Sequence, residues 1–313
     1  MKIDFGHHLS LTYQGGGEKW LTQLANELSQ RGHEVSVYCL PFWKKNSTVQ
    51  LLPEVSYHEG YFHKLKGDVA YITYNPLSWI NFHTAAPKVG GIHSNCYWQP
   101  FALQYGLLAN AANLVHMITK RWELKKFNAI HIVTPVYIID AKNVYYIPNF
   151  VDSAVYHPTV DKNEEFTVCY CSRKVWQKGY DIYEAIKKEL PDVKFIESNN
   201  TPENGMPDLY SQSHVTVAPA RVDTFGLTII ESLFCGTPVI CSGLPAHKAL
   251  SVPLTYAHTV EEYVKEILEH KSSHTYHTYD FYTTQCRVSA LKYDKPHTID
   301  EIEQMLINVA HEG

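Results

Sequence analysis

Arg173 and Lys178-Gly179 place two cations five positions apart, just beyond an apolar run at 166–171 that reads as a β-strand. In an open α/β sheet, ligands bind beyond the carboxyl ends of the strands. Two cations there can neutralise a diphosphate, the arginine through a bidentate contact. Asp223 precedes a second segment, 227–235, that reads as a helix, and Glu231 lies inside it, interrupting Leu227-Thr228-Ile229-Ile230 and Leu233-Phe234. A carboxylate on so apolar a helix needs a partner, because burying an unpaired charge is costly. The vicinal hydroxyls of a ribose offer two donors. Gly226, at the start of that helix, lets the backbone approach a phosphate. Nearer the N-terminus, Gly15-Gly16-Gly17-Glu18 stands before an amphipathic stretch. Glycines there turn backbone N–H groups toward an anion, aided by the helix dipole. Each group also has a plain structural reading: a βα loop needing positive φ, a solvated basic loop, an Asp N-cap with a Glu on the helix edge.

The elements that must position these residues form two series. Residues 3–6 read as a strand, 18–30 as a helix and 35–40 as a strand. In the helix, Leu21, Leu24, Ala25 and Leu28 fall at i, i+3, i+4 and i+7, one face of a helix. Arg31-Gly32 ends it, glycine suiting the C-cap region. A right-handed crossover then makes the sheet parallel. Further strands are expected at 69–73 and 88–92 and a helix over 101–126. Around 145–158 the pattern changes to a hinge-like linker bracketed by Pro148 and Pro158. A second series follows, with strands at 166–171, 193–197, 214–219 and 238–241. Its helices are expected at 181–190, with Asp181 and Glu184 as a capping box, at 227–235, closed by Gly236, and at 259–270, with Thr259 and Glu262 as cap partners. A last helix, with Thr298 and Glu301 spaced as a capping box, carries the stripe Ile302, Met305, Leu306 and Val309, which must cover its own domain or the first one. The conformation of 274–293, rich in Tyr and His, is left open. The expected fold class is α/β: two Rossmann-like doubly wound domains facing across a cleft, 1–148 and 149–296, with a C-terminal helix at 297–313 that can pack back on the first.

Composition agrees with that organisation. At roughly 150 residues per domain, 313 residues suggest two domains, and 45% apolar with 19% charged residues excludes a disordered chain. A formal charge of -5 argues against a broad electrostatic nucleic-acid binder. No apolar run reaches the length of about 18 residues that a membrane helix needs, and residues 1–6 turn polar too soon for a signal peptide. Seven cysteines, an odd number with no Cys-x-x-Cys pair, read as free thiols in a reducing cytosol. Cys169 and Cys171 point to one face of their strand and read as core. His7-His8 and His274-x-x-His277 lack the remaining ligands of a zinc site, so no metal is expected.

Taken in order along the chain, these groups resemble the retaining glycosyltransferases of family 4, GT-B enzymes that use nucleotide-activated sugars. The resemblance spans about 1–245. It includes Arg31-Gly32-His33-Glu34-Val35, Ile147-Pro148-Asn149-Phe150-Val151-Asp152 with Pro158, Arg173 with Lys178-Gly179, and Leu209-Tyr210 with Val217-Ala218-Pro219. Asp223 and Glu231 stand where the family carries two glutamates eight positions apart. The resemblance implies that Glu231 binds the ribose hydroxyls, that Arg173 and Lys178 hold the diphosphate, and that Asp223 contacts the donor sugar. Phe225, Gly226, Leu227 and Thr228 would present backbone groups to the donor. His93, after Gly90-Gly91-Ile92, matches an active-site histidine near the donor sugar, although alone it reads as a loop histidine. The Gly15, Gly16 and Gly17 loop would close over the diphosphate and the acceptor.

The function so implied is metal-independent transfer of a sugar from a UDP- or GDP-sugar to a glycan or lipid-linked hydroxyl, in the cytoplasm, with no further cofactor and no nucleic acid. The lack of an Asp-x-Asp motif agrees with metal independence. Asp223 is one methylene shorter than the family's glutamate, and 197–207 is compact, which leaves the base and sugar open. Few residues lie between Tyr61 and Asn95, so a reduced acceptor site is expected. Thr119-Lys120-Arg121-Trp122 with Lys125-Lys126 is either a peripheral membrane contact or a solvated helix face. Two rival classes share the architecture: a nucleotide-sugar 2-epimerase and a non-catalytic nucleotide-sugar binder.

Overall fold

The computed structural model describes residues 1–13, 15–75, 78–93, 107–136, 139–199, 201–273 and 279–312. The chain divides into two compact units, Met1–Pro148 with Ile299–Gly313, and Asn149–Thr298.

The first unit is built on β1 (Lys2–His7), β2 (Glu34–Cys39), β3 (Ser56–Glu59), β4 (Val69–Thr73), β5 (Lys88–Ile92), β6 (Ala129–Ile132) and β7 (Val144–Tyr146). They form a seven-stranded sheet in the order β3-β2-β1-β4-β5-β6-β7, parallel throughout. The order turns outward from β1 in both directions, the doubly wound arrangement that opens a ligand crevice at the strands' carboxyl ends. β4 is buried along its whole length and β1 from Ile3 onward, so both strands are covered on both faces. Between β1 and β2 runs α1 (Gly16–Gln30), and α2 (Leu107–Leu124) precedes β6. The α1 stripe of Leu21, Leu24, Ala25 and Leu28 is fully buried. The helix begins two residues earlier than expected, so Gly16 and Gly17 are its first turn. Gly15 is the cap at φ -76 and ψ 178. None of the three therefore uses the left-handed region that a flexible-loop reading required. Of the helix expected over 101–126, residues 101–106 lie outside the described residues, as do His274 and His277.

The second unit holds β8 (Thr167–Tyr170), β9 (Lys194–Glu197), β10 (Val215–Ala218), β11 (Val239–Cys241) and β12 (Thr255–Tyr256). Their order is β9-β8-β10-β11-β12, again all parallel. The helices are α3 (Tyr180–Glu189), α4 (Met206–Ser211), α5 (Leu227–Phe234), α6 (Pro245–Ala249), α7 (Val260–Ser273) and α8 (Tyr279–Ala290). Val168, Val215, Val217 and Ile240 of the sheet pack with Ile186 of α3 and Tyr263 and Ile267 of α7 in one core. Cys169 and Cys171 belong to the buried interior. The six described cysteines are all buried and free.

Two expected caps are corrected. Asp181 lies inside the first turn of α3, whose cap is Gly179. The Asp181 carboxylate instead accepts both terminal nitrogens of Arg221, at 2.6 and 2.7 Å. Thr298 lies inside α9 (Lys295–Glu312), and the helix start is held by Asp294, whose Oδ1 accepts the Lys295 N–H at 2.8 Å. At α7 the expected pair does form a cap. The Glu262 N–H donates to Thr259 Oγ1 at 3.2 Å, and the Glu262 carboxylate reaches back to the His258 N–H at 2.6 Å.

Ile302, Met305, Leu306 and Val309 of α9 are buried. The same helix is clamped at its surface by the Arg31-Gly32-His33 turn. Arg31 Nη1 donates to Asp300 and to Glu303 at 2.6 Å each, and His33 Nε2 lies 2.7 Å from the second Glu303 oxygen.

Candidate functional site

In the second unit the two predicted cations follow the carboxyl end of β8. Trp176–Lys178 form a single 3-10 turn ending on Gly179, which sits at φ 69. A Cβ on Gly179 would fall 1.9 Å from the carbonyl oxygen of Pro219, so only glycine lets this loop lie against the segment after β10. The buried Tyr170 hydroxyl lies 2.9 Å from the Arg173 carbonyl oxygen and 3.2 Å from that of Lys178, tying both ends of the loop to the strand. The loop is further laced to its neighbour by the Arg221 and Val222 N–H groups, which donate to the Gln177 carbonyl at 2.9 and 3.1 Å. The Arg173 side chain is exposed and that of Lys178 is half-buried.

Lys178 Nζ donates to Asp223 Oδ2 at 3.0 Å. The other Asp223 oxygen accepts the N–H groups of Thr224 at 2.9 Å and Phe225 at 3.4 Å. The fully buried His247, on α6, places Nε2 3.6 Å from Asp223 Oδ2. Burial alone would raise the Asp223 carboxyl, but the Lys178 charge and His247 outweigh it and hold it far below the usual carboxylate range. The structure thus brings two predicted site residues into one ion pair, and the carboxylate fixes where the ammonium lies.

Gly226 caps α5, and Ile229 and Ile230 donate to its carbonyl at 2.9 and 3.3 Å. Thr228 Oγ1 lies 3.4 Å from Ser172 Oγ, which links the first turn of α5 to the loop after β8. Phe225 is buried edge-on against Tyr293, with ring centroids 5.6 Å apart. Leu227 is half-buried. Glu231 lies one turn into α5, and its Oε2 accepts the Tyr210 hydroxyl of α4 at 2.7 Å. The partner that the apolar helix demanded is therefore supplied partly from within, and Tyr210 fixes where the carboxylate points.

In the first unit, the predicted groups gather at the carboxyl ends of β1, β4 and β5. Glu18, in the first turn of α1, takes hydrogen bonds from the backbone at Gly15 and at its own position. Its Oε1 lies 2.8 Å from His7 Nε2. Burial opposes its ionisation, yet His7 and these backbone groups together hold the carboxyl below its ordinary value. The first turn of α1 thus already carries an internal carboxylate, as the third residue of a capping box does. His7 Nδ1 lies 3.0 Å and His8 Nδ1 3.3 Å from Thr73 Oγ1. Burial, with the neighbouring His7, pushes His8 well down.

His93 stands one residue beyond β5. The Trp20 ring of α1 lies against it, with centroids 4.2 Å apart, which joins the glycine-led helix to this histidine. Its Nε2 is 2.6 Å from the Tyr71 hydroxyl. Among the described residues, no group of three or more His, Cys, Asp or Glu side chains can hold a metal ion.

Sequence reasoning missed Tyr71, Tyr170, Tyr210 and His247 in these roles. The available signal was a polar-tipped ring or an imidazole inside an otherwise apolar strand or helix, which always needs a partner. Nothing in the spacing said which partner.

Comparison with known proteins shows what the chain is similar to. Residues 180–250 match the family model described as Glycosyl transferases group 1. Alpha-galactosylglucosyldiacylglycerol synthase of Streptococcus pneumoniae is 24% identical over 50% of this chain, a match that covers 56% of that protein. The chain thus spans about half the length of that curated relative. Sucrose-phosphate synthase from Thermosynechococcus elongatus matches with a TM-score of 0.80 at 14% identity, covering 100% of both chains. Alr3699/HepE of Anabaena, solved with UDP-glucose, matches at 0.71 and 14% identity, covering 98% of this chain and 100% of that one. The fold is the α/β GT-B fold of glycosyltransferases, with two Rossmann-like units of parallel sheet. The matched segment, from α3 to the end of α6, is similar to the group 1 glycosyltransferases.

Proposed function

We propose that the protein transfers a sugar from a nucleotide-diphosphate sugar to a hydroxyl acceptor, with retention at the anomeric carbon and without a metal ion. The observation that carries this reading is the Lys178–Asp223 pair, 3.0 Å apart at the carboxyl ends of β8 and β10 and next to the start of α5. As the bond to the diphosphate breaks, negative charge grows on the leaving oxygens. Lys178, Arg173 and the N–H groups opening α5 are positive groups set in advance for that charge. Glu231, aimed by Tyr210, accepts the ribose hydroxyls. Asp223 contacts the donor sugar, and Phe225, Gly226, Leu227 and Thr228 present their backbone to the donor. Gly15, Gly16, Gly17 and His93 are the first unit's candidate contacts.

A UDP-sugar is favoured over a GDP-sugar because Alr3699/HepE was solved with UDP-glucose. A lipid-linked acceptor is supported by the name of the S. pneumoniae relative and by α2. That helix exposes Leu114, Val115, Met117, Ile118 and Trp122 close in sequence to Lys120, Lys125 and Lys126, the composition of a surface that rests on anionic lipid. No described helix is long and apolar enough to cross a membrane. Buried free thiols suit a reducing, cytoplasmic compartment.

The test is a thermal-shift panel of UDP- and GDP-sugars. A donor at about 100 times its Kd stabilises the folded state by roughly 2.7 kcal/mol, so one member should raise Tm, and Lys178→Ala should remove most of that rise. Silence across the panel at millimolar concentration overturns the reading. With the best donor, nucleotide release that needs an added acceptor excludes the 2-epimerase. Binding without release over glycan and anionic-lipid acceptors identifies a non-catalytic binder.

A further inference from the structure

Five aromatic side chains stand on the loops that follow β1, β2 and β3, three neighbouring strands at one edge of the first unit's sheet. Tyr13 comes after β1, Phe42 and Trp43 after β2, and Tyr61 and Phe62 after β3. This is the carboxyl end of a parallel sheet, where ligands bind. Trp43 is 66% exposed and Phe62 67%, with Tyr61 also exposed. The Trp43 and Tyr13 ring centroids are 5.3 Å apart. Phe42 meets Tyr61 edge-on at 5.8 Å, and Tyr61 lies 6.5 Å from Phe62. Phe42 and Trp43 are consecutive, so the two groups join in one row. Tyr13 in turn packs on Gly15, where a Cβ would fall 3.1 Å from the tyrosine Cε1. The row is therefore continuous with the glycine loop that is a candidate contact of this unit.

The backbone is strained to hold these rings out. Trp43 has φ 56 and Phe62 φ 55, left-handed values that a bulky side chain disfavours. Neither ring gains burial in return. The loops are braced against relaxing: the Phe42 carbonyl accepts the Ser10 N–H at 3.1 Å, and the Lys45 N–H donates to Thr12 Oγ1 at 3.0 Å. The Gly60 N–H donates to the Cys39 carbonyl at 3.0 Å, and His63 Nε2 lies 3.1 Å from the same oxygen. Exposed rings on a strained, braced backbone fit a ligand clamp. Charge selects the ligand. Lys44 pairs with Glu59, which also accepts the Tyr57 hydroxyl at 3.1 Å. Burial opposes ionisation of Glu59, yet Lys44 and the Ser10 and Tyr57 hydroxyls hold its carboxyl below the ordinary value. Lys45 Nζ lies 4.6 Å from the Tyr13 ring centroid. The charges of this surface are thus engaged from within, which suits a neutral ligand and not an anionic lipid surface. A pyranose presents C–H groups on its faces and hydroxyls around its rim. Neighbouring rings are tilted by 48° to 69°, so each can face a separate sugar unit.

We infer that Tyr13, Trp43, Tyr61 and Phe62 form a saccharide platform, on which the pyranose rings of a neutral glycan acceptor stack. The role of acceptor rests on the function proposed above; saccharide binding does not. The measurement is saturation-transfer difference NMR on the full chain, without donor, against maltose, cellobiose and lactose at millimolar concentration. Saturation should reach the ring C–H protons of at least one of the three. Trp43→Ala and Phe62→Ala, both at exposed positions, should each weaken its Kd roughly five- to tenfold, and Trp43→Phe, which keeps an aromatic face, should retain most of the binding. In turnover, Trp43→Ala should raise the acceptor KM more than the donor KM. Silence from all three disaccharides overturns the inference, and so does binding that either alanine variant leaves intact. Cosedimentation with phosphatidylglycerol vesicles is the second arm: pelleting that needs Trp43 and Phe62, with no transfer to saccharide, assigns the surface to a membrane and overturns the inference as well. Saccharide binding as expected, in a chain that no UDP- or GDP-sugar stabilises, leaves the platform standing and defeats the proposed function instead.

Discussion

Lys178 and Asp223 show how a candidate site residue acquires its properties from a neighbour distant in sequence. The ion pair at 3.0 Å joins side chains 45 positions apart, and neither is as useful alone: the ammonium needs a fixed position, and the half-buried carboxylate needs a counter-charge. Lys178→Ala should cost roughly 2–4 kcal/mol of transition-state stabilisation, the scale of one lost oxyanion donor. Steady-state turnover with the best donor checks this, and near wild-type rates in both Lys178→Ala and Arg173→Ala would remove the central claim. Glu231 has a different expected signature. It holds the nucleotide alike in ground and transition states, so Glu231→Gln should raise the donor KM and leave kcat nearly unchanged, whereas Asp223→Ala should chiefly lower kcat. Asp223→Glu lengthens the side chain by one methylene and should alter donor preference or rate without abolishing activity. If Asp223→Ala is silent while Asp223→Glu is dead, Asp223 is only the cap of its own turn.

Among the elements, the loop from β8 to α3 is the most constrained. Gly179 ends one turn and starts the next helix at φ 69, with a backbone carbonyl 1.9 Å from where a Cβ would stand. Neither φ nor space suits any other residue. Gly179→Ala should therefore destabilise the fold by at least about 1–3 kcal/mol, the cost of a non-glycine left-handed residue before overpacking is added. A shifted midpoint in urea unfolding is the readout, and an unchanged midpoint would show that the loop relaxes freely. Because the same loop carries Lys178, donor affinity should fall with it. The α1-to-β2 turn has a comparable role in the first unit, where Arg31 and His33 both engage Glu303 of α9.

For the whole molecule, the question is how the leaving diphosphate is neutralised. The candidate site offers Lys178, Arg173 and a helix start, and none of the described carboxylate groups forms a metal cluster. Once an acceptor is found, turnover should persist in EDTA at close to its untreated rate. Loss of activity in chelator that magnesium or manganese restores would show that the cations do not suffice. The formal charge of -5 gives no general attraction for an anionic donor, so affinity has to come from these local groups, and it should weaken only modestly with salt where they are partly buried.

What the sequence determined by itself was periodicity and order. Apolar runs bounded by glycine and proline specified β1, α1, β2, β4 and β5 and most of the second unit's strands and helices, because burial on a period of two or of 3.6 is written in adjacent residues. The same order placed Arg173, Lys178, Asp223 and Glu231 at strand ends and helix starts. Short strands escaped: β3, β6, β7 and β12 have two to four residues, too few to show a period, and they are strands because a neighbour offers a ladder. Caps escaped in the same way. Asp181 and Thr298 have the spacing of cap residues, but Arg221 claims the first and Asp294 does the work of the second. The tertiary structure alone decided the partners: Asp223 for Lys178, Tyr210 for Glu231, and Tyr71 for His93. Hydrogen bonds between side chains dozens of positions apart depend on which strands become neighbours and on sub-ångström room at positions such as Gly179, and no local pattern encodes either.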